Sequence, residues 1–409
     1  MAVYLLVTLD TKADEARAVR DRLHELGIDV RVVDTGCLGE TPWRADVTRE
    51  SIFAAAGTSV REMQQAGDRG QAVTAAAVGA AAVIEAAFAA GKLSAVMGLG
   101  GSAGTTIATT AMQRLPIGIP KLMVSTLASG QVRPYVGDKD IVMVNSVVDI
   151  AGLNRISRQI LSNAAAAMAG MVQHRQPVQA DDKPLVAATM FGVTTPCVEH
   201  ARRCLEQAGY EVLVFHATGN GGQAMESLIR EGEIAGVLDV TTTELADELF
   251  GGDLSAGPDR LTAAAVAGIP QVVSVGATDM VNFGPRDSIP GRFADRQFFV
   301  HNPTVTLMRT TDEENSQLGQ TIGCKVAQST GPTEVFLPLQ GVSAIDRTGQ
   351  PFDSPSARKR LFQALVEHAG SVPCHSMDCH INDPAFAEAM AHRLVELIQS
   401  HPPASKIGG

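Results

Sequence analysis

The stretch Gly-Leu-Gly-Gly-Ser-Ala-Gly-Thr-Thr, Gly98 to Thr106, follows an apolar run and precedes a string of small residues. Glycines at 98, 100, 101 and 104 leave the backbone free to take positive φ and to turn successive N–H groups inward. A helix starting there adds its dipole, and Ser102, Thr105 and Thr106 add hydroxyls. The chemistry these residues offer is anion binding, with phosphate as the expected anion. The loop is not a Walker A motif, because no Lys-Ser or Lys-Thr pair follows its last glycine. Gly98 to Ala103 formally satisfies G-x-G-x-x-A, but that fingerprint normally follows the first strand of its unit and is answered about 20 residues on by an acid. Here the loop comes late in its half, and the next strand ends in Ser125-Thr126. An NAD-binding oxidoreductase is therefore the lesser alternative.

Other segments at expected strand ends carry polar residues. TLDTK offers Asp10, Thr11 and Lys12 ahead of a helix, where the plain alternative is an N-cap with a solvated lysine. Thr35 sits in Asp34-Thr-Gly, placed to bond a ribose or a base, and Arg69 lies between Gly67 and Gly70, placed for a phosphate or for an ordinary surface turn. In the second half, HATGNGGQAMESL brings His216, Gly219, Gly221 and Gly222 to a helix start, a position for a second anion such as a substrate carboxylate. Thr242 in TTTE, and Arg309 in HNPTVTLMRTT, are read as lining the same crevice, as is SVGATDMVNFG, with loop capping as the alternative for each. Cys197 follows Thr-Pro at a helix start, where a dipole would lower a thiol pKa, yet a nucleophile also needs a base, so a buried structural thiol is the preferred reading. HSMDCHIND, His375 to Asp383, invites a metal through its histidines, Asp378 and Cys379. It reads better as a helix start with Asp383 as N-cap and Pro384 in the first position, and no metal site is expected.

These residues need a scaffold, and the pattern supplies one. Short apolar runs such as VYLLVTL alternate with helix-length amphipathic segments, the mark of a mostly parallel sheet covered by helices. LVAATMFGVTTPCVEHARRCLEQAGYEVLVFHATG repeats the strand, helix, glycine, strand order of the N-terminus, and AGIPQVVSVGATD echoes IGIPKLMVSTLASG. The expected fold class is α/β, with two Rossmann-like domains related by internal duplication, residues 1–178 and 179–409, joined at the polar stretch Gln173 to Pro184. The second copy of the glycine loop, Leu238 to Gly252, has lost its glycines, so one nucleotide site per chain is expected.

Bulk composition excludes several classes. The chain has 409 residues, enough for two cores, and a net charge of −11 without any basic run, so nucleic acid and membrane surfaces are not expected partners. Six cysteines without paired C-x-x-C spacing read as free thiols in a reducing compartment. The apolar run at the N-terminus is too short for a signal peptide, and the alanine-rich segment Ala72 to Gly91 reads as a buried helix and not a membrane span. A cytoplasmic protein is expected.

Taken together, GLGGSAGTT, GIPKLMVST with GIPQVVSVGATD, MFGVTTPCVE, FHATGNGGQAME, TTTELADELFGG, HNPTVTLMRT and HINDPAFAEAM resemble one family over nearly the whole chain. It is the ATP-binding-domain family of the plant tobamovirus-resistance (Tm-type) protein, an otherwise uncharacterised family with bacterial members. The resemblance implies ATP bound in the N-terminal domain and a homodimer; magnesium is expected only because ATP usually brings it. Its nucleotide contacts carry over to Asp10, Thr11, Lys12, Thr35, Arg69, Gly100, Gly101, Ser102, Ala103, Gly104 and Thr105. The expectation is an ATP-binding protein with a second small-ligand crevice between its domains, either an ATP-dependent enzyme acting on a small carboxylate or a non-catalytic regulatory or scaffolding module.

Overall fold

A computed structural model describes residues 1–37, 39–176 and 183–401; part of the stretch expected to join the domains lies outside the described residues. The chain divides into two compact units, Met1–Val178 and Gln179–Gly409. In the first, β1 (Ala2–Val7), β2 (Val30–Asp34), β3 (Leu93–Gly100), β4 (Lys121–Ser125) and β5 (Ile141–Asn145) form a parallel sheet in the order β2-β1-β3-β4-β5. Every residue of β1 is buried, with Tyr4 and Leu6 packing into one core and Val3, Leu5 and Val7 into the other. A strand covered on both faces reads as a continuous apolar run, which is why AVYLLV shows no polar alternation.

The second unit contains β6 (Leu185–Met190), β7 (Glu211–His216), β8 (Ile234–Thr241), β9 (Gln271–Gly276), β10 (Met280–Phe283), β11 (Phe298–Asn302), β12 (Val305–Arg309), β13 (Thr333–Pro338) and β14 (Cys374–Met377). Six of them make a parallel sheet in the order β14-β13-β9-β8-β6-β7. Read from β7, this repeats the first sheet's order with one strand added. The two Gly-Ile-Pro segments fall at equivalent places, leading into β4 and β9. Both units are Rossmann-like, with helices on both faces of each sheet.

One element departs from the sequence reading. SVGATDMVNFG runs from the end of β9 through residues 277–279 into β10, and HNPTVTLMRTT runs from the end of β11 into β12. They contribute β10 and β12, and β12 pairs antiparallel with both β10 and β11 as the central strand of a separate three-stranded sheet. The segment HNPT is the turn of the β11–β12 hairpin, closed by Thr304 N–H and Oγ1 donating to Asn302 Oδ1 at 2.9 Å.

The helix Arg69–Ala89 is long and apolar enough to cross a bilayer by length and composition alone. In the fold it buries Ala72, Ala76, Ala80 and Ile84 in the core against β1 and β3.

Candidate functional site

In a parallel sheet of order 2-1-3-4-5 the chain reverses direction of winding between β1 and β3, and the loops beyond their carboxyl ends part to leave a crevice. A cavity of about 360 Å³ lies there. Thr8, Asp10, Thr11 and Lys12 reach it from the end of β1, Thr35 and Cys37 from β2, and Gly101, Ser102, Ala103 and Gly104 from β3. Thr126 follows β4, and Asp149 comes from the segment after β5. Arg69, Ala72, Val73 and Ala76 contribute from the helix Arg69–Ala89. Residues scattered from 8 to 149 are brought together by the sheet alone.

The segment TLDTK is less of a loop than expected. The helix after β1 starts at Leu9, and Asp10, Thr11 and Lys12 form its first turn, distorted at Lys12, where φ is −135° and ψ 34°. This turn is anchored from β2: the carboxylate of Asp34 accepts from Leu9 N–H at 3.0 Å and from Gly36 N–H at 2.9 Å. Burial pushes the Asp34 carboxyl up, against the pull of those two donors. Lys12 Nζ donates to the Ile150 carbonyl at 2.5 Å, which ties the β1 and β5 rims of the cavity together. Asp10 Oδ2 accepts from Gly39 N–H at 3.2 Å.

Arg69 is the first residue of its helix, with Asp68 as N-cap accepting from Gly70 and Gln71 N–H. It is exposed and forms no ion pair among the described residues. An arginine that is unpaired and faces a cavity is available to an anion.

The glycine loop works differently from a nest of left-handed residues. None of Gly98, Gly100, Gly101 and Gly104 has positive φ. Their smallness matters instead. A Cβ on Gly98 would stand 2.5 Å from Met123 Sδ and 2.6 Å from Ala108 Cβ, and one on Gly100 would stand 2.8 Å from Gly104 Cα. The glycines let the helix Ser102–Gln113 seat directly on β3 and β4. Gly101 is its N-cap and provides no side-chain cap, so the first N–H groups of the helix keep their demand for an acceptor on the cavity side.

Two expected contacts lie behind this wall. Thr105 is fully buried, its hydroxyl 2.6 Å from Ser125 Oγ, and Gly100 is the last residue of β3, packed on Gly104; neither lines the cavity. The sequence reading missed Thr8, Cys37, Thr126, Asp149 and the apolar wall of Ala72, Val73, Ala76 and Ile107. Thr126 was readable, since it follows the strand next to β3. Burial pushes the Cys37 thiol up, so it faces the cavity as a neutral group.

The second anion position, around His216, is already filled from within. Gly219 N–H at 2.7 Å and Gly222 N–H at 3.1 Å both donate to Glu244 Oε1, and a Cβ on Gly222 would fall 2.2 Å from the other oxygen of that carboxylate. Gly221 is small because the His216 carbonyl would lie 1.9 Å from a Cβ there. His216 itself is exposed and stacks on Phe191 at 5.5 Å. Thr242 is buried and donates to the Ser274 carbonyl at 3.2 Å. Arg309 is buried, bonded to the carbonyls of Phe352, Asp279 and Thr310 and to Asp346. Glu244, Thr242 and Arg309 are thus hydrogen-bonded within the second unit.

Cys197 is fully buried, and burial pushes its thiol up to about 12, the opposite of an activated nucleophile. At pH near 8, a colorimetric thiol reagent is expected to modify exposed Cys324 in the folded protein and to reach Cys197 only after denaturant is added. Rapid native-state modification of Cys197, mapped by peptide mass, would refute this.

In HSMDCHIND, His375 bonds to Glu334 at 2.8 Å and His380 Nε2 to the Ser343 carbonyl at 2.8 Å, while Asp383 is the N-cap of a helix whose first residue is Pro384. Among the described residues no group of three or more potential metal ligands converges.

Comparison with known proteins places this geometry. Residues 1–177 match the model for the N-terminal domain of uncharacterised protein family UPF0261, and residues 183–398 match that for its C-terminal domain. The chain belongs to the UPF0261 family. A UPF0261 protein of Clostridium tetani is 49% identical over 97% of the chain and 99% of its own length. Another, of Rhizobium meliloti, is 44% identical over 95% of the chain and 96% of its own. The ToMV resistance protein Tm-1 of Solanum lycopersicum is 46% identical over 75% of the chain, a match covering 42% of the tomato protein. Among solved structures, a UDP-N-acetylglucosamine 2-epimerase from Rickettsia bellii aligns over 98% of this chain and 96% of its own at 9% identity and a TM-score of 0.24, too loose a likeness to bear on chemistry.

Proposed function

We propose that this UPF0261 protein binds ATP in the N-terminal cavity. One observation carries the reading. The uncapped N-terminus of the helix Ser102–Gln113, the unpaired guanidinium of Arg69 and the ammonium of Lys12 border one cavity of about 360 Å³, whose wall also carries an apolar patch of Ala72, Val73, Ala76 and Ile107. That volume falls within the usual range for small-ligand sites, and the mixture suits a ligand with a polyanionic end and a flat apolar end. The triphosphate belongs at Gly101 to Gly104 and Arg69, the base against Ala72, Val73, Ala76 and Ile107, and the ribose near Thr35. Magnesium would enter with the nucleotide to screen its charge, and Asp10 and Asp149 are the carboxylates on the cavity wall suited to hold it.

Calorimetric titration with ATP, NAD and GTP tests the proposal. ATP is expected to bind, and Arg69→Ala to weaken it about ten-fold or more without lowering the melting temperature, since the side chain is exposed and unpaired. Binding of NAD with no binding of ATP would overturn it. Release of ADP or AMP on adding small carboxylic acids would identify an ATP-dependent enzyme; tight binding without turnover, with a change in dimerisation, would identify a regulatory or scaffolding module.

A further inference from the structure

Two carboxyl groups grip β10, and neither forms an ion pair among the described residues. Asp279 stands immediately before the strand, and Asp247, in the helix Thr243–Phe250 that follows β8, holds Asn282 within it. Asp247 Oδ1 accepts the Asn282 backbone N–H at 2.7 Å, and Oδ2 accepts Asn282 Nδ2 at 2.7 Å. Asp279 Oδ2 accepts from Ser343 Oγ at 2.8 Å, whereas its Oδ1 is buried with no hydrogen-bond partner. Both residues are 1% exposed. Ser343 belongs to the segment after β13, so the two carboxyls tie an edge of the three-stranded sheet to segments that follow β8 and β13 of the large one.

The charges around them are engaged elsewhere. Facing Asp279, Asp346 takes both nearby guanidiniums, Arg358 Nη1 at 2.8 Å and Arg309 Nη2 at 3.3 Å, while His380 Nε2 bonds the Ser343 carbonyl at 2.8 Å. Facing Asp247, Glu244 accepts from Arg260 at 2.7 Å, Asp253 accepts the Gly284 N–H at 2.8 Å, and Arg292, beside Gly251, lies over the Phe293 ring. A buried carboxylate left without a cation is costly, and such a group takes up a proton instead. Burial pushes the Asp247 carboxyl up to about 7 against the pull of the Asn282 donors. Burial, with the Asp346 charge beside it, pushes the Asp279 carboxyl up to about 7. The side-chain oxygen of Asn282, buried without a donor, fits a protonated Asp247: with the amide turned over, the acid proton is donated to that oxygen.

We propose that Asp247 and Asp279 form a proton-dependent clasp on β10, which keeps the three-stranded sheet docked on the rest of the second unit while both carboxyls carry protons and releases it as they ionise. In the released sheet both groups meet water and return to the ordinary range near about 4. The docked form therefore binds more protons, and rising pH favours release. The clasp does not depend on the nucleotide reading, because all its residues lie in the second unit.

Hydrogen–deuterium exchange on the full chain between about pH 6 and pH 8, corrected for the intrinsic pH dependence of amide exchange, reads the release. With each carboxyl at about 7 when docked and about 4 when released, each raises the opening equilibrium about ten-fold over this interval. Peptides from β10 and β12 should therefore lose about 100-fold in protection, while β6 and β8 hold theirs. Asp247→Asn should remove about ten-fold of that loss, since asparagine keeps the oxygen that the Asn282 N–H uses and its amide can donate to the Asn282 side-chain oxygen. Asp279→Asn keeps the oxygen that Ser343 uses and should remove another ten-fold or so, leaving the double variant insensitive to pH. Should one variant lower the melting temperature, the wild-type profile and the other variant decide. Protection of β10 and β12 that does not change with pH, a loss shared equally by β6 and β8, or a pH dependence undiminished in the asparagine variants would each overturn the proposal.

Discussion

Arg260→Met is expected to cost about 3–5 kcal/mol of stability at neutral pH, more than any other single change considered for this chain. Arg260 is fully buried and holds three buried carboxylates at once. Its Nη1 and Nη2 clasp Asp239 at 2.6 and 2.7 Å, Nε donates to Glu244 at 2.7 Å, and Nη1 lies 3.4 Å from Glu226. Each carboxylate has a second task. Glu226 accepts the N–H groups of Leu261, Thr262 and Ala263 at the start of one helix, Glu244 accepts those of Gly219 and Gly222 at the start of another, and Asp239 accepts from Thr189 Oγ1. Methionine fills the volume but leaves Asp239 and Glu244 in the interior with no cation, and Glu226 with only Arg230 at 4.0 Å. The sign of the pH dependence follows. Burial already pushes the Glu244 carboxyl up, and attraction to Arg260 is what opposes that. Without the arginine, folded-state carboxyl pKa values rise above their unfolded values, so the folded variant binds extra protons and regains stability as pH falls. Urea unfolding of both proteins should show a deficit that narrows from about pH 7.5 to about pH 5.5. A deficit below about 1 kcal/mol, or one that does not change with pH, would mean that the carboxylates are not held by Arg260.

The same cluster shows where sequence reasoning runs out. HATGNGG was legible as a helix start, because glycines and a small polar residue mark such places locally. Its occupant was not: Glu244 lies 25 residues from Gly219 and 22 from Gly222, and only the pairing of β6, β7 and β8 brings it there. The strands of both parallel sheets were legible for the opposite reason, since continuous burial writes itself into a run such as AVYLLV without reference to anything distant. In β10 to β12, by contrast, Met280 pairs with Arg309 across a long connection, and turn residues within each segment disguise the strands as loops. At the N-terminal cavity, strand-end loops pointed to Asp10, Lys12, Thr35, Arg69 and Gly101, all of which line it. Thr105 misled because the first turn of a helix has a cavity side and a sheet side, and the hydroxyl faces Ser125 of β4. Glycine identity alone also could not separate backbone freedom from close packing; here close packing governs Gly98 and Gly100.

Gly101 is the glycine at which ligand and fold can be separated, and Gly101→Asp is expected to abolish ATP binding while sparing the fold. Its backbone, φ −82° and ψ −154°, is open to any L-residue, and the nearest atom to an added Cβ is Thr126 Oγ1 at 3.7 Å, an ordinary contact. Aspartate is also among the preferred N-caps, able to accept from the N–H groups of Ala103 and Gly104. The substitution therefore satisfies with a built-in carboxylate the donors that the proposed triphosphate would use, and adds a negative charge beside it. Thermal stability without nucleotide should stay level or rise by roughly a few tenths of a kcal/mol, while ATP affinity falls about 100-fold or more. Gly98→Val makes the contrast, because its side chain would collide with Met123 and Ala108 and should lower stability outright. Opposite movements of stability and affinity at Gly101, set against a loss of both at Gly98, separate an anion site from a packing turn. Unchanged ATP affinity in Gly101→Asp would place the triphosphate elsewhere.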